Sequence, residues 1–187
     1  MSKLIDEKLL SPLDSAICTD RINFLPKKIG LLIWRVKQNR IPVRVELDKR
    51  GVDLDSVICP VCDGDLETVE HIFIHCQFAK DLWLRVFRWW NLNRLPYANM
   101  GELFQGCSDP NNPNKSSKLW KAIEWVCGYM IWWSRNLTVF QKKKGCGPML
   151  LDEVQVKSFD WISRRSWRHV MVWSQWLLNP GVFDDHG

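Results

Sequence analysis

Four residues between positions 59 and 76 have the types and the spacing of a metal site. Cys59 and Cys62 are separated by two residues, His71 follows after eight more, and Cys76 after a further four. A tetrahedral Zn2+ ion takes four thiolate or imidazole donors, and a cysteine pair in a tight turn plus a second pair from a following helix can supply them without strain. The spacing therefore predicts one zinc ion bound by Cys59, Cys62, His71 and Cys76.

The fourth ligand has an alternative. His75 follows His71 by four residues and would share its face of an α-helix, whereas Cys76 can join His71 only if the helix ends or turns there. We favour Cys76, because a thiolate is the better zinc donor. Four protein donors leave no position for water, which is typical of a structural site. We expect the nearby Glu67 and Glu70 to be solvated helix carboxylates rather than general bases.

Two other interpretations of this cluster compete with the zinc site. The first is a chance grouping of buried cysteines and a core histidine, which a lone C-x2-C would leave open but the added His and Cys make less favourable. The second is an enzyme using Cys76 and His71 as a nucleophile and base; metal ligation would occupy both groups, and the sequence shows no third orienting residue. The remaining cysteines are expected to be free thiols, with Cys127 buried.

The composition suits an ordinary folded protein. The 187 residues are 46% hydrophobic and 25% charged, which is enough for one domain or two small ones, and the 12 tryptophans predict an aromatic core. The first residues lack the apolar stretch of a secretory signal, and no apolar run approaches the roughly 20 residues that span a bilayer. We therefore expect an intracellular, reducing location and no membrane partner.

Apolar periodicity predicts helices along most of the chain. Pro26 is expected to open the first helix, and a second short helix over residues 43–50 is expected to end at Gly51 in the left-handed conformation. Further helices are predicted over 67–75, from Phe78 to Trp90 with an apolar stripe that forms core, from Leu119 to Phe140, and from about Leu150 onward.

The predicted fold is mainly α, with a small zinc-stabilised helical module followed by a long-helix C-terminal segment. Residues 107–118 are rich in Asn, Pro and Ser and lack periodicity, so they are predicted to be a linker. The predicted divisions are a loose lead-in (1–23), the zinc-binding module (24–106), the linker (107–118), the helical segment (119–178) and a tail (179–187).

The basic residues suggest a polyanionic partner. The formal charge is +5, and basic positions cluster on the first helix and near Trp167. Lysine and arginine pair with phosphates, and aromatic rings can stack on bases. A solvated helix face is the ordinary alternative. The predicted RNA- or DNA-contacting residues are Lys27, Lys28, Arg35, Arg40, Arg164, Arg165 and Arg168.

Several motifs together resemble a known family. They are Trp34-Arg35, Ile41-Pro42, Leu47, Arg50-Gly51, Cys59-Pro-x-Cys62, Glu67-Thr68-x-x-His71-x-Phe73-x-x-Cys76 and Phe78-Ala79-x-x-Leu82-Trp83. Over about residues 24–95 the chain resembles the zinc-binding domain near the C-terminus of plant non-LTR retrotransposon reverse transcriptases. Downstream, Trp133-x-Arg135-Asn136-x-x-x-Phe140 is similar to the helical tail that follows that domain. Val43 stands where the family usually has Thr after Ile-Pro. This difference affects none of the proposed metal ligands.

The resemblance implies a non-catalytic role. The family's polyprotein carries a polymerase with a Tyr-x-Asp-Asp motif and usually an endonuclease; neither pattern is recognisable here, and Asp184-Asp185 lies in the predicted tail without a strand pattern. The implied partners are element RNA, target DNA or other parts of the polyprotein, in the nucleus, with no small-molecule substrate. The alternative is a protein-docking module that binds no nucleic acid.

Overall fold

The computed structural model describes residues 22–93, 97–104, 117–143, 147–165 and 171–184. These residues are mainly helical, which confirms the predicted fold class, and Ile58 and Leu66 form an isolated antiparallel bridge. The α-helices are α1 (Lys27–Lys37), α2 (Arg44–Asp48), α3 (Gln77–Trp89), α4 (Met100–Phe104), α5 (Lys118–Gln141), α6 (Gly147–Ser163) and α7 (Trp173–Leu178). A π-helical turn covers His71–His75, and a 3-10 turn covers Pro180–Asp184. Most of the predicted lead-in and linker lies outside the described residues.

Pro26 and Gly51 take the positions predicted for them at the start of the first helix and after the second. Helix α1 starts directly after Pro26, whose ring fixes a φ compatible with a helix start. It buries Ile29, Ile33 and Val36. Helix α2 is shorter than predicted, but Gly51 follows it with a φ of +77° and donates its N–H to the Asp48 carbonyl, as a left-handed helix end requires.

Helix α5 lies at the centre of the fold. Ser117 caps it by accepting the N–H of Trp120 at 2.9 Å, and the helix packs against α1, α6 and the π-helical turn. Gly128 allows this close approach, since a Cβ there would lie 3.2 Å from Cδ1 of Ile33 and 3.9 Å from Cε1 of Phe73. Although α5 has 24 residues, neither it nor any other helix in the described part of the chain is long and apolar enough to span a membrane.

One aromatic core joins the two halves of the sequence. Most of the predicted apolar stripe is buried, including Trp83 and Phe87 in α3 and Trp90 directly after it, which confirms its prediction as core. The indole N–H of Trp83 donates to the Phe73 carbonyl at 2.9 Å, and that of Trp89 donates to the Trp176 carbonyl at 2.9 Å. Residues from the predicted zinc module and from the C-terminal segment therefore share one continuous core.

Candidate metal centre

The first two donors lie in a tight turn that a short bridge closes. The Ile58–Leu66 pair aligns the two sides of this turn, and Cys59 donates its N–H to the Asp65 carbonyl at 2.7 Å. Inside the turn, Asp63 has a φ of 55° and donates its N–H to the Cys59 carbonyl at 2.9 Å. The turn therefore folds back on itself, with Cys59 buried and Cys62 partly exposed.

The second pair of donors lies at the two ends of the π-helical turn. Thr68 begins this region, because its hydroxyl accepts the His71 N–H at 3.0 Å. The turn closes where Cys76 donates its N–H to the His71 carbonyl at 2.6 Å. A π-helical turn joins residues five apart, so it brings Cys76 to the side of His71 and leaves His75 exposed. The structure thus groups Cys76 with the other donors and does not include His75.

The four donor atoms have the arrangement that one zinc ion requires. The sulfur atoms of the three cysteines and a ring nitrogen of His71 all lie within 4.8 Å of one another. The Cys62 Sγ and His71 Nε2 atoms are 3.3 Å apart. A tetrahedral zinc ion with bonds of about 2.0–2.3 Å places its donors roughly 3.3–3.8 Å apart, so a modest contraction would complete the site. The predicted ligand set fits one structural zinc ion.

The imidazole of His71 is oriented for metal binding through Nε2. Its other nitrogen, Nδ1, is buried without a hydrogen-bond partner and lies 3.7 Å from the Asp65 carboxylate. Carboxylates commonly accept the remaining N–H of a zinc-bound histidine and so fix its tautomer. Asp65 is therefore placed to support His71 from outside the cluster.

The cysteine thiols interact strongly with one another. The pKa of Cys59 is lowered to about 5, chiefly because Cys76 donates a hydrogen bond to its thiolate, with further donation from the N–H groups of Cys62 and Val61. The same hydrogen bond, together with burial, raises the pKa of Cys76 far above its usual range. Bound zinc supplies the positive charge that lets all the ligand thiols deprotonate together.

Glu67 is not a solvated carboxylate, so that part of the sequence interpretation was wrong. Its side chain is fully buried and forms an ion pair with the buried guanidinium of Arg135, with an Nε–Oε1 distance of 2.7 Å. Sequence reasoning missed this pair because nothing in the local pattern links two residues so far apart. Glu70 is exposed as expected, and its carboxylate accepts the Met100 N–H at 3.3 Å.

Six of the seven predicted nucleic-acid residues are exposed on the surface, and Arg168 lies outside the described residues. The Lys28 ammonium lies 5.0 Å from the ring centre of Tyr129 and 5.7 Å from that of Trp161. The Arg165 guanidinium donates to the Trp161 carbonyl at 3.4 Å. The structure thus brings Lys28 and Arg165 to the same tryptophan. Arg40 lies beyond the other end of α1.

A helical fold with a closed four-donor site defines a structural zinc-binding module. Residues 18–83, about a third of the chain, match the family model described as zinc-binding in reverse transcriptase. All four donors lie within this region, so the predicted resemblance is confirmed there, and these donors form the site of one zinc ion.

The curated relatives include a ribonuclease H protein of Arabidopsis thaliana. It is 26% identical over 113 residues, and the alignment covers 56% of this chain but only 18% of that protein. The chain therefore spans less than a fifth of the length of this relative. No solved structure matches the chain.

Proposed function

We propose that this chain is a non-catalytic zinc-binding module of the retroelement type, and that one basic surface holds RNA or DNA by its phosphates. This basic surface consists of Lys27, Lys28, Tyr129, Trp161, Arg164 and Arg165. The zinc site would act as a structural support that stabilises the helices presenting these residues. A closed donor set favours support over chemistry, because it leaves no coordination position for a substrate.

The observation that carries the proposal is the meeting of Lys28 and Arg165 at Trp161. The two residues come from distant parts of the sequence, yet the lysine ammonium lies over the indole ring while the guanidinium bonds to its backbone carbonyl. Lys27 is exposed beside Lys28 at the start of α1, and Arg164 is exposed beside Arg165 after α6. These contacts support the proposal that two basic groups, separated in the sequence, act as one positively charged surface.

The chemistry of this surface favours contact with phosphates over sequence-specific recognition of bases. Lysine and arginine neutralise phosphates regardless of sequence, and half-exposed aromatic rings add stacking that every base can accept. Lys28 already covers the two rings, so phosphate contact would dominate. Arg164 forms a 2.5 Å ion pair with Asp160, but its side chain is 74% exposed and open to a competing phosphate. We therefore expect binding that depends on salt and tolerates many sequences.

The experiment is a fluorescence anisotropy titration with labelled single- and double-stranded RNA and DNA at several salt concentrations. The K28A/R165A variant should bind more weakly than the unchanged chain. Its plot of log binding constant against log salt concentration should have a slope smaller in magnitude by about 1.5. The matched control is K49Q/R50Q, which removes two exposed charges near α2, beyond the opposite end of α1. Equal binding by all three proteins, or affinity independent of salt, would refute the proposal.

A second candidate function is docking onto another part of a retroelement polyprotein. The observation that favours it is a set of apolar side chains left exposed on the adjacent helices α5 and α6: Phe140 is 77% exposed and Met149 68%. Apolar side chains that are exposed in the free chain are available for burial against a partner protein. The same titration separates the two functions, because a phosphate-binding chain should bind the labelled nucleic acids in a salt-dependent way and a chain that only docks onto protein should not bind them.

A further inference from the structure

We propose that Arg135 is a positioning residue for the zinc site, although it lies outside the region 18–83 that matches the zinc-binding family. The unit that binds zinc would then include helix α5. The proposal concerns the protein alone and does not depend on nucleic-acid binding.

The contact between Arg135 and Glu67 is bidentate and buried. Nε of the arginine donates to Oε1 of the glutamate at 2.7 Å, and Nη2 donates to Oε2 at 2.7 Å, across 68 residues of sequence. Glu67 is fully buried and Arg135 is 4% exposed. This parallel geometry uses the planar shape of the guanidinium, which a lysine cannot reproduce.

Glu67 lies at the junction of the two segments that carry the zinc donors. Its backbone N–H donates to the Val57 carbonyl at 2.9 Å, next to the Ile58–Leu66 bridge that closes the Cys59 turn. Thr68 follows directly and accepts the His71 N–H, which starts the helical region carrying the other two donors. A shift of Glu67 would therefore move both pairs of donors relative to each other.

The carboxylate of Glu67 also organises the chain before the metal site. Its Oε2 accepts the backbone N–H of Arg44 at 2.7 Å, and the Arg44 guanidinium in turn donates to the Ile58 carbonyl at 2.7 Å. Removal of the arginine charge would leave a buried carboxylate without its counter-ion, which is strongly unfavourable unless the group protonates or turns outward. Either response would loosen the junction.

Arg135 is itself held firmly by the core. Its guanidinium lies 4.9 Å from the ring centre of Trp132, and its Nη2 also donates to the Pro42 carbonyl at 3.4 Å. Helix α5 packs against the π-helical turn, with Gly128 close to Phe73. The charge that neutralises Glu67 thus comes from a largely buried helix, and the zinc donors depend on that helix for their relative position.

The test uses the full-length chain in the R135M and R135K forms. Zinc affinity is measured by competition with a chromophoric chelator, and the donor geometry is read from the ligand-field absorption of the Co2+-loaded protein. R135M should lose about 10-fold in zinc affinity, the lower end of the loss caused by removing a group that holds a metal ligand directly, because Arg135 acts through Glu67. R135K should lose less, because it keeps the charge but not the paired hydrogen bonds, and both should alter the Co2+ spectrum.

The matched control is K157M, which removes a basic residue that also pairs with a carboxylate, that of Glu153, but on a partly exposed face of α6. It should leave zinc affinity and the Co2+ spectrum unchanged. If R135M fails to fold, R135K still decides the question. Folded R135M or R135K with unchanged zinc affinity and an unchanged Co2+ spectrum would overturn the proposal. Reduced affinity with an unchanged spectrum would also overturn it, since that result indicates general destabilisation rather than positioning of the donors.

Discussion

Cys76 donates its backbone N–H to the carbonyl of His71 at 2.6 Å, and this hydrogen bond closes the π-helical turn between them. The closure joins residues five positions apart, whereas an α-helix joins residues four apart. The spacing of four residues between the histidine and the last cysteine therefore suits a π-helical turn and places both side chains on the metal. In a regular α-helix the exposed His75 would occupy that position instead.

The π-helical closure predicts which variants lose zinc. C76S should lose zinc because it removes a buried thiolate donor, whereas H75Q should keep a full equivalent because His75 is exposed and outside the donor cluster. The measurement is the zinc content of the purified proteins by mass spectrometry, together with chelator competition. Zinc retained by C76S and lost by H75Q would assign the fourth donor to His75.

Removal of zinc should destabilise the whole shared core, including helix α5. Zinc bound only by the folded chain stabilises it by about 2.7 kcal/mol when free zinc is 100-fold above the dissociation constant, and chelation removes this contribution. The thermal unfolding curve by circular dichroism should therefore move to lower temperature with chelator and recover with added zinc. An unchanged unfolding curve, with no zinc in the purified protein, would contradict the proposed site.

The reactivity of Cys127, which lies within α5, should show whether removal of zinc loosens the packing of that helix. It is buried, and burial raises the pKa of its thiol well above the usual value, so the reactive thiolate is scarce in the folded protein. Alkylation followed by peptide mass spectrometry should show Cys127 protected with zinc and labelled after chelation. Protection that persists after chelation would mean that α5 keeps its packing without the metal.

The donors were predictable from the sequence because they are local. Cys59, Cys62, His71 and Cys76 lie within one short stretch, where the spacing of residue types directly reflects the chemistry of zinc. Helices were predictable for a similar reason, since apolar periodicity and the residues Pro26 and Gly51 act over a few positions. The type of turn was not, because the choice between α- and π-helical closure depends on the metal site and the surrounding packing.

Long-range pairs were beyond the sequence pattern. Glu67 was expected in solvent because an isolated carboxylate on a helix usually is, and only the fold shows that Arg135 neutralises it. The meeting of Lys28 and Trp161 has the same origin: each was recognisable as basic or aromatic, but their contact depends on how α1 and α6 lie against α5. The sequence identifies the charged and aromatic residues, but only the tertiary fold shows which of them contact each other.

Two helical glycines should respond oppositely to substitution. A Cβ at Gly128 would lie 3.2 Å from Cδ1 of Ile33, so Gly128→Val should strain the contact between α5 and α1 and cost about 1–3 kcal/mol. The control is Gly30→Ala in α1, where a Cβ would meet only Cζ3 of Trp125 at 3.7 Å. That change should stabilise the protein by about 0.5–1 kcal/mol, because alanine is the better helix former. Urea unfolding measures the change in the free energy of unfolding for both variants. Equal changes would contradict the close contact of Gly128 with α1.

The pair formed by Glu67 and Arg135 can be tested by a double-mutant cycle of stability. R135M alone should cost about 3–5 kcal/mol, because it leaves a buried carboxylate without its counter-ion. The E67M/R135M double variant should recover part of that loss, since no charge remains buried. It should still be less stable than the unchanged chain by about 1–3 kcal/mol, because the Arg44 backbone N–H loses its acceptor.

Urea unfolding of the zinc-loaded proteins supplies the four free energies of this cycle. E67M and R135M each lose stability because they break the same ion pair, so their effects should not add. The interaction energy between the two substitutions should exceed about 1 kcal/mol in magnitude. The exposed pair of Arg164 and Asp160 is the control, because solvent screens it; R164M should change stability by about 0–1 kcal/mol. Additive effects at Glu67 and Arg135 would show that the two side chains act independently.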